Sequence, residues 1–477
     1  MLALADRLTV PQIFFNERHI GGADETLKEL GVWDEERLFP TPLDRYREEI
    51  GSLPDPEDPL LDIPRTPPVV DEPPPPRDVD SDSVRIPGLD PENVSVLRAT
   101  RRLMNLLPRS DLSYHGTVYK NCFKGSDGVR ILMKVFELEG EEEAILFGRR
   151  LQRRQILHHV TDDHQFNAKR NFFRLQPYHT PHILNTFRVW TDRVDEKHPM
   201  ALVHRLKKLL GKVESEATDN SGKVDYLSAA EDPNYWEFEE AVCELQGIDM
   251  SALDGKTRLA FGMNLYNLMI VHAFIKVGTP SSTVQRSSFF GSVCYNIGGH
   301  VLSFSELENG VLRANSRAPY SLSYPFSRSD PRISLVLDKV DPRIHFGLNC
   351  GAKSCPPVKK YTADAIDEEL RIVALSFCEQ DENVHVDEEK NLLSLNMILS
   401  WYKSDFSGST AKLPGKVVTY LRSEKKEMLK RMIQNTGETI KVKFNNYDWS
   451  TNASRSKAFD SSILKRNELK IRELLPL

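Results

Sequence analysis

Regular apolar patterning occupies two long stretches of the chain, and it predicts where the chain folds. In residues 98–178 apolar positions recur at helical spacing, including a helix predicted over 144–159, and the end of the stretch alternates like a short hairpin. In residues 230–452 segments with helical apolar spacing alternate with short strand-like segments. The predicted elements there are helices over 235–245 and 259–277 and strands over 333–337, 345–348 and 440–444. This mixture predicts a multi-domain α+β protein.

The stretch between residues 34 and 94 has no such pattern. It holds 14 of the 29 prolines, and its 17 Asp and Glu against 6 Arg give a local balance of −11. Proline removes backbone donors and like charges repel, so an extended linker is expected, although a proline-recognition ligand stays open. The predicted organisation is therefore a leading fragment (1–32), an acidic linker (33–96), a small module (97–180), a connector (181–229), a larger domain (230–452) and a polar tail (453–477).

Composition and charge narrow the class of protein. Of the 477 residues 40% are hydrophobic and 28% charged, with a net charge of −6, which argues against a nucleic-acid partner. Six cysteines are sparse for a secreted disulfide scaffold and favour a reducing compartment. We find no uninterrupted apolar run of ~18 residues and no basic leader, so a soluble, cytoplasmic protein is expected.

Residues 113–116 and 119–129, with the closing Asn171-Phe-Phe-Arg-Leu175, resemble the signature of DEP domains. The resemblance implies a winged-helix-like module that recruits its protein to an anionic membrane surface, a receptor tail or signalling proteins, and no catalysis. Within it, Ser126 and Asp127 suit a helix N-cap and Gly125 a tight turn. Cys122 is expected to be a small buried hydrophobe.

A basic helix face in this module is the candidate lipid-binding surface. It consists of Arg149, Arg150, Arg153 and Arg154, beside an apolar side with Phe147. Each basic residue near an anionic membrane contributes about 1 kcal/mol. The alternative is an ordinary solvated helix face.

The amino-terminal fragment, Thr9-Val-Pro-Gln followed by Ile20-Gly-Gly-Ala-Asp24, resembles the second half of a glutaredoxin. That resemblance implies glutathione-binding positions at Val10, Pro11, Gly22 and Asp24. The family's catalytic cysteine belongs upstream of Thr9, where this chain has none, so redox chemistry of that kind is not expected here. Glutathione is a cofactor only if the fragment is part of a complete domain; otherwise no cofactor is expected.

The larger domain resembles the domain of unknown function 547. The resemblance rests on Asn264-Leu-Tyr-Asn267 with His272, on residues 341–357 and on Tyr447-Asp-Trp-Ser-Thr-Asn452. A broader likeness to papain-like or transglutaminase-like folds would place a cysteine at the start of a core helix. The matching helix over 259–277 has Asn264 and no cysteine, which departs from that pattern.

The central motif brings His345, Cys350 and Cys355 within eleven positions. One hypothesis is a catalytic thiol site in which nearby Arg343 and Lys353 lower a cysteine pKa and His345 acts as base. A zinc site would use the same three side chains but lacks a fourth ligand, so no metal is predicted. A third hypothesis is a buried turn shaped by the Asn349 side chain. In it the polar residues of the core helix, Asn264, Asn267 and His272, form hydrogen bonds to the turn.

These patterns lead to two functional hypotheses. The first is an intracellular signalling adaptor, peripheral at a membrane, whose large domain has an unassigned role. The second is a cysteine-dependent hydrolase or transferase that uses Cys350 or Cys355 with His345.

Overall fold

The computed structural model describes residues 94–461 except 115–116, 191–193, 195–198, 320, 357 and 436–438, and three short strands nearer the amino terminus. The chain divides into two units, residues 1–79 and 80–477. In the first unit, strands β1 (Ile13–Phe15) and β2 (Arg18–Gly21) form an antiparallel hairpin. The second unit starts with the antiparallel pair β3 (Ser83–Val84) and β4 (Val94–Ser95), and most of the predicted acidic linker lies outside the described residues.

The first part of the second unit, residues 96–178, is called the small domain below. Its strands lie in the order β5-β6-β8-β7 and all pair antiparallel, with helices packed against the sheet. Its elements are α1 (Val96–Leu106), β5 (Ser110–Tyr114), β6 (Thr117–Lys124), α2 (Gly125–Phe136), α3 (Glu141–Arg153), β7 (Leu157–His159) and β8 (Phe172–Leu175).

Two local predictions for the small domain are wrong. Helix α2 begins at Gly125 after Lys124, so Ser126 and Asp127 are not its N-cap; Asp127 lies in the first turn, where it bonds Arg130. Gly125 is needed because a Cβ there would lie 2.1 Å from the carbonyl oxygen of Asn167. Helix α3 ends at Arg153, so the end of the helix predicted over 144–159 is strand β7 instead.

Residues 199–461 form the large domain, a mixed α and β structure around one large apolar core. Its helices and strands are α4 (Pro199–Glu216), β9 (Val224–Asp225), α5 (Tyr226–Ala229), α6 (Pro233–Ala241), α7 (Gly255–Lys276), α8 (Thr283–Ser292), β10 (Cys294–Ile297), β11 (His300–Ser303), α9 (Ile366–Glu379), β12 (Val384–Asp387), β13 (Leu392–Leu395), α10 (Ile398–Trp401), α11 (Lys403–Phe406), α12 (Leu413–Val417), α13 (Ser423–Gln434), β14 (Lys441–Phe444) and β15 (Ala453–Arg455). Strands β12, β13 and β14 form one sheet, with β14 parallel to β13. The predicted multi-domain α+β character is therefore confirmed.

Helix α7 lies at the centre of the large domain. By length and composition this one helix of the described residues passes as a membrane span, yet 83% of its most apolar window is buried inside the domain. A core helix has the same properties. Helix α4, in the segment that the sequence assigns to a connector, packs on α7 and buries Leu202, Leu206 and Leu210 in the same core.

The strands predicted over 333–337 and 345–348 are wrong. The same tetrapeptide, Asp-Pro-Arg-Ile, stands at the start of both regions, and 3-10 helices, Pro331–Leu335 and Pro342–Phe346, replace the beginning of each predicted strand. In each, the aspartate caps the helix and proline occupies its first turn, which favours helical over extended backbone.

The small and large domains share apolar packing. Cys243, just after α6, is fully buried in the core of the small domain, and Trp236 of α6 packs against both cores. The guanidinium of Arg101 in α1 lies 4.7 Å from the centroid of the Trp236 ring and also pairs with Glu231. The small domain is therefore packed against its neighbour and shares part of its core with it.

Packing around Phe166 gives a test of the small-domain core. A Cβ at Gly148 in α3 would lie 2.0 Å from the Phe166 ring, so Gly148→Ala is expected to cost about 1–3 kcal/mol of unfolding free energy. Gly291→Ala in α8 is the matched control, since nothing lies within 4 Å of a Cβ there and alanine favours a helix by about 0.5–1 kcal/mol. Urea unfolding measures both; equal effects would contradict this packing.

Candidate functional site

A cavity of about 370 Å³ in the large domain is the candidate site. All three residues predicted to be catalytic, His345, Cys350 and Cys355, line it. The rest of its wall is largely aromatic: Tyr266, Phe290, Trp401, Tyr402, Tyr447 and Trp449. A neighbouring cavity of about 390 Å³ beside Tyr361 has neither thiol in its lining.

Helix α7 positions the loop over residues 347–356, called the motif loop below, at this cavity. The Asn267 side chain donates to the carbonyl of Gly347 (3.0 Å) and accepts from the amide of Asn349 (2.8 Å). The Asn349 carboxamide accepts from the Gly351 amide (2.7 Å) and donates to Pro356 (2.8 Å), so it closes the turn from inside. Of the turn hypothesis, the Asn349-closed turn and the bonds from Asn267 agree with the structure. Asn264 and His272 bond other segments, and both thiols are half-buried at the cavity wall.

The two thiols of this loop lie against each other. Their sulfur atoms are 3.1 Å apart, and the Tyr447 hydroxyl lies 3.2 Å from Cys355 and 3.7 Å from Cys350. The hydrogen bond with the Cys350 thiol lowers the pKa of Cys355 to about 7, and the bond with Tyr447 acts in the same direction. Burial raises this pKa but is outweighed. The same bond, with burial, raises the pKa of Cys350. Cys355 is therefore the more acidic thiol of the pair.

The cause of this pKa shift differs from the predicted one. Arg343 is paired with Asp341 and Asp367, and Lys353 lies 3.9 Å from Asp448. Neither cation is among the groups that lower the Cys355 pKa, which are hydrogen-bond donors of the loop and Tyr447.

His345 lies at the same cavity but has other partners. Its Nε2 donates to Asp405 (2.8 Å), and its ring stacks on Tyr402 at 3.7 Å between centroids. Burial lowers its pKa although Asp405 opposes this, so the ring is neutral at pH 7. Within the described part of the chain His345 forms no hydrogen bond to either thiol. The cavity gathers the predicted Cys and His residues without forming a Cys–His pair.

Arg313 completes the group around His345. Its guanidinium binds Asp405 in a bidentate ion pair (2.7 and 2.8 Å) that is almost fully buried. Burial by itself raises the pKa of Asp405, but the bonds from His345 and Arg313 hold it well below its usual range. The aspartate is thus ionised and fixes the orientation of the imidazole.

Sequence reasoning missed the residues that come from outside the motif. Glu308 lies in a π-helix, Glu306–Leu312, and accepts from Tyr266 (3.1 Å) and Tyr402 (2.5 Å). Such π-helical turns are common at functional sites, but the residue types of this segment do not predict one. The Tyr447-Asp-Trp449 motif could have been predicted to belong to the site, since both of its aromatic rings line the cavity.

The zinc hypothesis finds no support in the described residues. His345, Cys350 and Cys355 do not converge there, and Nε2 of His345 is engaged by Asp405. Among the residues that the structure describes, possible ligand atoms converge at His159, Asp163 and His164 of the small domain, where they lie within 4.8 Å of one another.

The basic face lies on α3 of the small domain. Arg149 is half-buried and donates to the carbonyl of Phe166 (3.1 Å), so it holds the core together. Arg150 and Arg154 are half-buried, and Arg153 is exposed. Leu146, one turn before Arg150, is 58% exposed, which gives this face an apolar as well as a basic part.

The remaining predicted site residues cannot be placed. Val10, Pro11, Gly22 and Asp24 lie outside the described residues, where only the backbone of the β1–β2 hairpin between them is defined. The glutaredoxin-like hypothesis therefore stays a prediction.

Comparison with protein families identifies both domains. The model described as "Domain found in Dishevelled, Egl-10, and Pleckstrin (DEP)" matches residues 107–175, so the small domain is a DEP domain. The model described as "Protein of unknown function, DUF547" matches residues 250–378 of the large domain, which include the motif loop.

Two curated proteins are similar over short stretches. Rho1 guanine nucleotide exchange factor 1 of Schizosaccharomyces pombe is 31% identical over 80 residues, 17% of this chain and 6% of that protein. Human phosphatidylinositol 3,4,5-trisphosphate-dependent Rac exchanger 2 protein is 37% identical over 60 residues, 13% of this chain and 4% of that protein. Each match is about the size of one DEP domain and covers a small fraction of the relative.

The buried ion pair yields a prediction on stability. Asp405→Ala leaves Arg313 buried without its counter-charge and is expected to cost about 3–5 kcal/mol of unfolding free energy. Asp367→Ala, which removes an exposed partner of Arg343, is the control and should cost below about 1 kcal/mol.

The pH dependence of the same variant adds a second readout. Because the pKa of Asp405 is lowered in the folded state, its contribution is present at neutral pH and is lost as the pH falls below about 4. Urea unfolding should therefore show a smaller difference in unfolding free energy between wild type and Asp405→Ala at pH 3 than at pH 7. A constant difference would contradict the assignment.

Proposed function

We propose that this chain is a cytoplasmic signalling adaptor that its DEP domain recruits to the periphery of a membrane or to a receptor complex. The DEP domain supports the proposal, as does similarity to two exchange factors for Rho-type GTPases, one of them named as dependent on a phosphoinositide. The observation that carries the membrane part is the exposed face of α3, where Leu146 and Arg153 stand two turns apart. An apolar side chain beside basic ones suits an anionic lipid surface. A receptor tail or a signalling protein is the other kind of partner.

The large domain has a second candidate function, a cysteine-dependent transferase or hydrolase. It is favoured by Cys355, an acidic thiol at a cavity that also holds the His345–Asp405 pair. A thiolate is the reactive form in such enzymes, and a neutral imidazole can accept a proton. The likeness to papain-like or transglutaminase-like folds stays a prediction, since the core helix carries Asn264 where those enzymes have cysteine.

Vesicle binding tests the recruitment proposal. Arg153→Gln is expected to weaken binding of the full chain to phosphatidylserine vesicles about fivefold, since one basic residue contributes about 1 kcal/mol there. The control is Arg371→Gln, which removes an exposed positive charge from the large domain. Replacing all four arginines of the face and finding unchanged co-sedimentation at low salt would rule out this surface as the lipid site.

Alkylation tests the thiol proposal. Because the pKa of Cys355 is lowered to about 7, iodoacetamide should modify it in the folded protein with a rate that rises through pH 7. Cys350→Ala removes the Cys350 thiol as a hydrogen-bond donor to Cys355, so the midpoint should move up toward about 8.5 and the rate at pH 7 should drop roughly tenfold.

The buried Cys243 and Cys378 serve as internal controls in the same peptide map, since burial raises both pKa values. Modification of Cys355 only after unfolding would contradict a reactive thiol and, with it, the enzyme proposal.

A further inference from the structure

The Cys350–Cys355 pair has a geometry that a single nucleophilic thiol does not require. The loop between them is closed by a bond from the Cys355 amide to Ala352 (2.9 Å) and by the Asn349 side chain. Gly351 in the middle has φ +79°, and a Cβ there would lie 2.4 Å from the Phe274 ring, so the chain turns back tightly at this point. The turn holds the two sulfur atoms 3.1 Å apart, about 1 Å more than a disulfide bond.

The two thiols have unequal surroundings. The Cys355 sulfur accepts a hydrogen bond from the backbone amide of Cys350 (3.1 Å). The Cys350 thiol and the Tyr447 hydroxyl also lie within hydrogen-bond distance of it, and both can donate to a thiolate at that position. Cys350 lies farther from Tyr447, at 3.7 Å. This is the asymmetry of an attacking and a resolving thiol.

We propose that Cys350 and Cys355 form a dithiol–disulfide centre that exchanges with a low-molecular-weight organic disulfide bound in the aromatic cavity. The inference rests on the proposed reactivity of Cys355 and goes beyond it by naming the reaction and the substrate class. It also explains why the reactive thiol has a second thiol, rather than His345, as its hydrogen-bond partner.

The reaction balances without a further reagent. The Cys355 thiolate attacks one sulfur of the substrate RSSR, forms a Cys355–S–S–R mixed disulfide and releases RS⁻. Cys350 then gives its proton to RS⁻ and attacks the Cys355 sulfur, which forms the intramolecular disulfide and releases the second half as RS⁻, protonated by solvent. Two protein thiols are oxidised and one substrate disulfide is reduced to two thiols.

The size and charge of the cavity wall restrict which disulfides can bind. Its volume of about 370 Å³ suits one half of a small organic disulfide. Glu308 is an acidic side chain of this wall, whose described residues include no lysine or arginine. Neutral or cationic disulfides are therefore expected to react faster than anionic ones of the same size.

The test uses the reduced full chain with three small disulfides: cystamine, 2-hydroxyethyl disulfide and the anionic dithiodiglycolate. After quenching with N-ethylmaleimide, peptide mapping should show two fewer alkylated thiols, both in the segment with Cys350 and Cys355, and dithiothreitol should reverse this. The rate should fall from cystamine to dithiodiglycolate. Equal loss of alkylation at Cys243 or Cys378 would indicate unfolding and overturn the site assignment.

Single variants separate the two roles. Cys350→Ser should stop at the mixed disulfide on Cys355, whereas Cys355→Ser should react on the order of tenfold more slowly and form no intramolecular bond. Tyr447→Phe keeps both thiols and should slow the first step severalfold, because one donor to the thiolate is lost. Thermal unfolding checks that each variant is folded.

The outcomes distinguish this inference from the thiol proposal on which it rests. If iodoacetamide modifies Cys355 but no disulfide forms with Cys350, the exchange centre is wrong and the transferase proposal stands. If neither reagent reacts with the folded protein, both are wrong. Mixed disulfides that persist on both cysteines of the wild type would also overturn the inference.

Discussion

The large domain depends on satisfying three polar side chains inside one apolar helix. Helix α7 carries Asn264, Asn267 and His272 at positions without solvent, where an unpaired polar group costs about 1–3 kcal/mol. Asn264 bonds both backbone groups of Tyr361, Asn267 bonds the motif loop, and His272 lies between Glu239 and Tyr295. Each pairing binds a different distant segment to the central helix, so the polar residues fix which segments surround it.

The cavity is a product of that arrangement. Asn267 holds the loop that carries both thiols, and the π-helix that carries Glu308 packs on the same helix. Other parts of the wall come from residues 398–402 and 447–449, far along the chain. A thiol pair, a neutral imidazole on a buried carboxylate and a cluster of aromatic rings thus meet only in the complete domain. No short segment of the chain contains the site.

Sequence patterns predicted the central helix α7 and both domains, and they selected His345, Cys350 and Cys355, which share one cavity. They failed where local chemistry competes with apolar pattern. Asp330-Pro331 and Asp341-Pro342 start 3-10 helices that apolar alternation had suggested were strands. Spacing also could not reveal that Cys355 pairs with Cys350 and Tyr447 rather than with His345, because Tyr447 is 92 positions away and only the fold brings it near.

The shared packing of Trp236 and Cys243 has a consequence for how the two domains respond to ligands. Trp236 packs against both cores, and Cys243, which follows α6 of the large domain, lies in the core of the small one, so a molecule that binds and stabilises one domain also disfavours loss of these shared contacts. The ring of Trp236, with Arg101 stacked on it, lies at this junction, so local opening of the small domain would expose apolar surface of the large one.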